Sequence, residues 1–168
     1  MNGEWAVTDQ EVSDTMSLLQ HARSFRELIV YQKSRAVAKR VFEITKRFPR
    51  EEMYSLTDQV RRSSRSVGAQ IAEAWARRRY EKHFISKLTD ADGEQQETQH
   101  WFETAADCGY LSNEEVHSLN NALAEVGRML NSMIEKAASF CGEPPLTLHE
   151  STVNYFTATD DSSLTTDD

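Results

Sequence analysis

Two Glu-x-x-His pairs, Glu97–His100 and Glu114–His117, are the residues whose type and spacing come nearest to metal chemistry. In a four-helix bundle, two such pairs on facing helices, with inward carboxylates from the other two, hold a di-iron centre. Register opposes that use here. If the helices carrying them fold back around Gly109–Ser112, the pairs are offset by about seven residues, roughly 10 Å at 1.5 Å per residue. Two metals of one site sit about 3.5–4 Å apart. No obvious inward pair of carboxylates completes the set, so neither a metal nor another cofactor is expected. The cysteines, Cys108 and Cys141, form no C-x-x-C pair. They lie nearly a helix length apart, on the order of 40 Å, where a disulfide needs about 7 Å or less. Free thiols fit a reducing cytoplasm.

The sequence contains no G-x-S-x-G elbow, phosphate-cradling glycine loop or H-E-x-x-H, and no catalytic residue is assigned. The remaining chemistry is cationic. Arg61, Arg62 and Arg65 fall on one predicted helix, and Arg77, Arg78, Arg79, Lys82 and Lys87 surround the next turn, with Trp75, Tyr80 and His83 between them. Lys and Arg at this density can track phosphates while aromatic rings stack on unpaired bases. They can equally form a solvated face tied in part to acidic residues.

Charge is divided along the chain. Of the 168 residues, 26–87 hold 16 Lys/Arg and 7 Asp/Glu, whereas 88–168 hold 2 and 16, within a net charge of −8. Such asymmetry points to a polyanion partner or to charge-complementary self-association. No run of about eighteen apolar residues could cross a membrane. Acidic residues within Met1–Gln20 stand where a signal peptide would be basic and then apolar, so export is not expected.

The elements that must position these residues are helical, and no alternating β pattern appears. One helix is predicted over Arg26–Arg47, with Val30, Val37, Val41, Ile44 and Phe48 on its stripe and Pro49 ending it. A second, Glu51–Trp75, carries Leu56, Val60, Ser63, Val67, Ile71 and Ala74, and its small residues allow close approach. A third, from about Arg78 to Cys108–Gly109, has the seam Tyr80, Phe84, Leu88, Ala91, Thr98, Phe102 and Ala105. Its stretch Asp92–His100 is oddly polar. The fourth opens on a capping box, Ser112 to Glu115, and its heptad seam runs from Val116 through Leu130 to Phe140. An all-α, antiparallel up-and-down bundle over 25–141 is expected. Before it lies an extension, 1–24, flexible or with a short helix after Thr8, and after it an acidic, mobile tail, 142–168.

The segment Phe25–Phe140 resembles the bacterial four-helix bundle family of the 23S rRNA intervening-sequence protein, to which the accessory variability determinant of diversity-generating retroelements is related. The resemblance rests on Tyr31-Gln32-Lys33, Phe48-Pro49, Glu52-x-Tyr54-x-Leu56-x-x-Gln59 and Arg61-Arg62-Ser63-x-x-Ser66-Val67. It continues through Ile71-Ala72-Glu73, Phe84-Ile85-x-x-Leu88, Ala91-x-Gly93-x-x-x-Glu97 and Cys108-Gly109-Tyr110-Leu111. Gln70, Ala74 and Glu94 depart from the asparagine, glycine and serine usual there. The resemblance implies a non-enzymatic homo-oligomer, most simply a pentamer, associated with structured RNA or a ribonucleoprotein. It also implies that Arg62 and Glu73, about three turns apart, face inward, in a buried polar network with Gln59, Gln70 and Glu97. The rival function is a protein-interaction scaffold whose basic half meets acidic partners, its own tail included.

Overall fold

The computed structural model describes residues 22–141, so the expected helix after Thr8 and the acidic tail lie outside the described residues. Four long helices alternate in direction: α1 (Ile29–Ile44), α2 (Leu56–Ala76), α3 (Glu81–Asp107) and α4 (Asn113–Glu135), followed by one turn, α5 (Ala137–Phe140). Each packs on the next and α1 closes on α4, which makes the expected four-helix bundle.

Helix boundaries differ from the sequence reading at the starts of α1 and α2. α1 starts at Ile29, because Ser24 caps a separate 3-10 turn, Phe25–Glu27, and the extended Leu28 is buried between the two. α2 starts at Leu56, five residues after the predicted Glu51. The acids occupy a 3-10 turn, Arg50–Glu52, that reverses the chain after Pro49. Glu52 still serves the helix from there, accepting from the Ser55 hydroxyl and, at 3.4 Å, from the Leu56 N–H. These bonds hold its carboxyl below the usual range, the Ser55 hydroxyl first.

The α3–α4 turn follows its sequence signals. Gly109 adopts φ +76°, the left-handed conformation that glycine enters without steric cost. Gly109 N–H bonds the Ala106 carbonyl and Tyr110 N–H the Ala105 carbonyl, both at 2.8 Å, a Schellman ending. Ser112 and Glu115 then form the reciprocal capping box. The continuous helix expected to reach Phe140 breaks at Lys136 (φ −103°, ψ 22°), yet its seam survives the break, since Ala137 is buried.

Two apolar clusters fill the bundle. One gathers Val30, Val67, Ile71, Phe84, Leu88 and Leu130 at the end where α1 begins. The other gathers Val41, Val60, Phe102, Leu119 and Leu123 toward the opposite end. Between them runs a polar belt, which accounts for the polar stretch of α3. Thr98 is fully buried, its hydroxyl 2.9 Å from Ser63 Oγ and 2.8 Å from the Glu94 carbonyl. Gln95 is buried too, bonded to Asp92 (3.0 Å) and Gln99 (2.7 Å). Opposite it stands Gly127, where an added Cβ would meet Gln95 Nε2 at 3.0 Å. The glycine makes room for the amide.

Candidate nucleic-acid interface at the turn between α2 and α3

The five cations singled out around this turn separate into three groups. Arg77 caps α2, its N–H bonded to the Glu73 and Ala74 carbonyls, so the following residues leave the helix axis. Arg77 and Arg79 are exposed, and so is Lys82 in the first turn of α3. Arg77 keeps a long, 3.9 Å ion pair with Glu73. Arg78 folds back instead. Its guanidinium lies 4.2 Å from the Trp75 ring centroid and donates to the Trp75 carbonyl at 2.8 Å. It braces the turn and occupies the indole face that had been expected to stack on a base.

Lys87 is committed to acids, not to solvent. Its ammonium lies 3.1 Å from Glu73 and 3.2 Å from Asp90, and bonds Gln70 at 3.1 Å. Glu73, then Asp90, hold its pKa above the usual lysine value. A raised lysine pKa stabilises fully below the unfolded value of about 10.4, and that stabilisation is lost as pH rises through the folded pKa. Lys87 therefore leaves the set of free cations. Tyr80 does not belong to the buried seam where the sequence placed it. It is 65% exposed and packs on His83 with ring centroids 5.5 Å apart, leaving both rings at the surface of the cationic turn.

The expected inward network is likewise divided. Arg62 is exposed and bonds Gln59 (2.9 Å), Glu97 accepts from Trp101 Nε1 (3.1 Å), and Gln70 and Glu73 belong to Lys87. The buried polar residues among those described are Ser34, Thr45, Thr57, Ser63, Ser64, Gln95 and Thr98, and positions 59, 62 and 73 fall on the outer side of the α2–α3 seam. Near Arg62 stands Glu94, whose carboxyl is pushed up by burial and then by Glu97. Two substitutions distinguish the arrangements. Thr98→Val should destabilise by about 1–3 kcal/mol by stripping a buried hydroxyl partner, and Arg62→Ala by no more than about 1 kcal/mol. Denaturant titrations of both variants check the contrast.

Neither Glu-x-x-His pair assembles a site: Glu97 serves Trp101, His100 packs on the same ring at 4.8 Å, and His117 pairs with Asn121 at 3.0 Å. Among the described residues, no group of three or more His, Cys, Asp or Glu could hold a metal ion. Both cysteines are free, and no described helix is long and apolar enough to cross a membrane.

A second cationic surface was not anticipated. A groove of about 850 Å³ runs between α1 and α2, floored by Ala38, Gly68, Ala69 and Ala72 and rimmed by Arg26, Arg35, Lys39 and Arg65. Arg35 and Lys39 are one turn apart, so the α1 half was readable as an i, i+4 pair. The alignment with Arg65 depends on how α1 and α2 slide against each other, which spacing along the chain does not contain.

Fold and surface together define an all-α, up-and-down four-helix bundle with sharply divided charge. The chain belongs to the 23S rRNA-intervening sequence protein family, whose profile matches residues 26–132. A crystal structure of a protein with unknown function from the S23 ribosomal protein family of Bacteroides thetaiotaomicron is similar. It has a TM-score of 0.59 and 32% identity, over 64% of this chain and 96% of that one. The comparison with curated proteins gave no match.

Proposed function

We propose that this chain is a non-enzymatic, self-associating bundle that engages structured RNA through the α2–α3 end. The carrying observation is the uneven charge of its helices. α1 and α2 together hold seven Lys/Arg and three Asp/Glu, and α3 and α4 hold three and eleven. Arg77, Arg79 and Lys82 are gathered at one turn, where consecutive side chains splay outward, and Arg78 stiffens it. Exposed cations at a rigid turn suit a phosphate backbone, and the neighbouring Tyr80 and His83 offer rings to a splayed base. Membership of a family named for an rRNA intervening sequence agrees with an RNA partner.

Unequal faces favour head-to-tail association over a symmetric pairing of like charges, and head-to-tail contacts form a ring where the rotation between copies closes. Exposed Ile29 (43%) and Met53 (43%) leave apolar area for such contacts. Light scattering of dilute protein should show a stable oligomer, five copies being the expectation from the family resemblance, and a stable monomer would refute self-association. Binding to a structured RNA, titrated in salt, tests the RNA reading. Deleting residues 143–168, which removes Glu143, Glu150 and four Asp, should strengthen that binding by removing competing negative charge. An unchanged affinity would show that the tail does not compete.

A further inference from the structure

The α1–α2 groove has a built-in mismatch. Arg26, Arg35, Lys39 and Arg65 line it, and no carboxylate does. None of the four has a carboxylate partner among the described residues, unlike Lys33, Lys46, Arg47, Arg77 and Lys87. Where no acid is supplied, aromatic faces hold the cations. Arg26 lies 4.4 Å from the Phe25 ring centroid, Arg35 6.0 Å from that of Tyr31, and Arg65 5.9 Å from that of the exposed Phe42. Four like charges around an apolar floor repel one another, and an anionic chain with apolar side chains would relieve that repulsion while covering the floor.

We propose that the groove seats the protein's own C-terminal segment, with Tyr155-Phe156 on the floor and Asp160-Asp161 on the rim. Charge complementarity is the first argument. Residues 142–168 contain Glu143, Glu150 and four Asp, without one Lys or Arg. The second is where the segment departs. Cys141, the last described residue, packs in the same apolar cluster as Phe25 and Tyr31, so the chain leaves the bundle at the end where α1 begins, the end of the groove marked by Arg26. Reach is sufficient as well. The fourteen residues from Cys141 to Tyr155 span up to about 46 Å when extended, whereas the groove from Tyr31 to Phe42 is about 16 Å long at helical rise. Seated there, the segment would neutralise the α1–α2 face, and its removal would add that face to the cationic surface open to a polyanion. The seat goes beyond the RNA reading and does not depend on it.

Zero-length carbodiimide cross-linking of the intact chain, read by mass spectrometry, tests the seat, since Lys39 is the groove's only lysine. The expected product joins Lys39 to Asp160 or Asp161. Its yield should fall at least several-fold in Tyr155→Ser/Phe156→Ser and in Arg35→Gln/Arg65→Gln, and also as salt is raised. Links from the tail acids mainly to Lys82 would overturn the seat. So would Lys39 linking instead to α3 acids such as Glu97 or Glu103, which would show a second copy in the groove. Loss of RNA binding in the same protein would leave the cross-link result unaffected, so the two readings fail separately.

Discussion

Replacing Phe84 with alanine should destabilise the bundle by about 3–5 kcal/mol, the range for removing a large buried aromatic side chain. Phe84 is fully buried, one turn after Tyr80, and is the first core residue of α3. Its ring packs on Phe140 with centroids 5.7 Å apart and 24° between planes, so it holds the last turn of the bundle as well as the start of α3. Loss of the ring leaves a cavity between α2, α3 and α5 behind the turn that carries Arg77 and Arg79. The midpoint of denaturant unfolding should fall at an unchanged slope, since the surface exposed on unfolding changes little. Tyr80→Ala, an exposed position four residues earlier, should shift stability by no more than about 0.5 kcal/mol. Similar losses at both positions would mean that the packing around Phe84 is not as described.

The second large effect is expected in RNA affinity. Arg77→Gln/Arg79→Gln/Lys82→Gln removes the three unburied cations of the turn and leaves Arg78 on Trp75 to hold its shape. Each phosphate contact contributes about 0.7–0.9 to the slope of log affinity against log salt, so three lost contacts should flatten it by about two to three units. Lys87→Gln serves as the contrast. Lys87 is held by Glu73 and Asp90, so its loss should lower stability and leave the salt slope unchanged. A flattened slope in Lys87→Gln would show that this lysine reaches phosphate in the complex and that its acid pairs open on binding.

The bundle was legible in the sequence because helical periodicity is local. Leu119, Leu123, Val126, Leu130 and Met133 step three and four apart, and all are buried. Gly109 and the Ser112–Glu115 box act within a few residues of themselves, and both turn geometries follow. What failed was rotation and register between helices. Arg62 and Glu73 do share a face, as their spacing requires, but that face looks outward in the protomer, and the core belt formed instead from Ser63, Gln95 and Thr98. Nothing local distinguishes those outcomes, because each depends on which side of α2 meets α3. The same holds at the candidate interface. Five cations were visible as a cluster, but only the fold shows that Arg78 is spent on Trp75 and Lys87 on two acids. Likewise, the groove brings Arg65 of α2 beside Arg35 and Lys39 of α1, a juxtaposition of residues some thirty positions apart.

The most direct test of the central claim is a salt titration of structured-RNA binding by the intact chain, run side by side with Arg77→Gln/Arg79→Gln/Lys82→Gln. The parent should bind at low salt with an affinity that falls steeply as salt rises, and the triple variant should bind more weakly with a slope flatter by about two to three units. No binding by the parent at low salt, or equal affinities and slopes for the two proteins, would contradict the RNA reading and favour a protein-interaction scaffold.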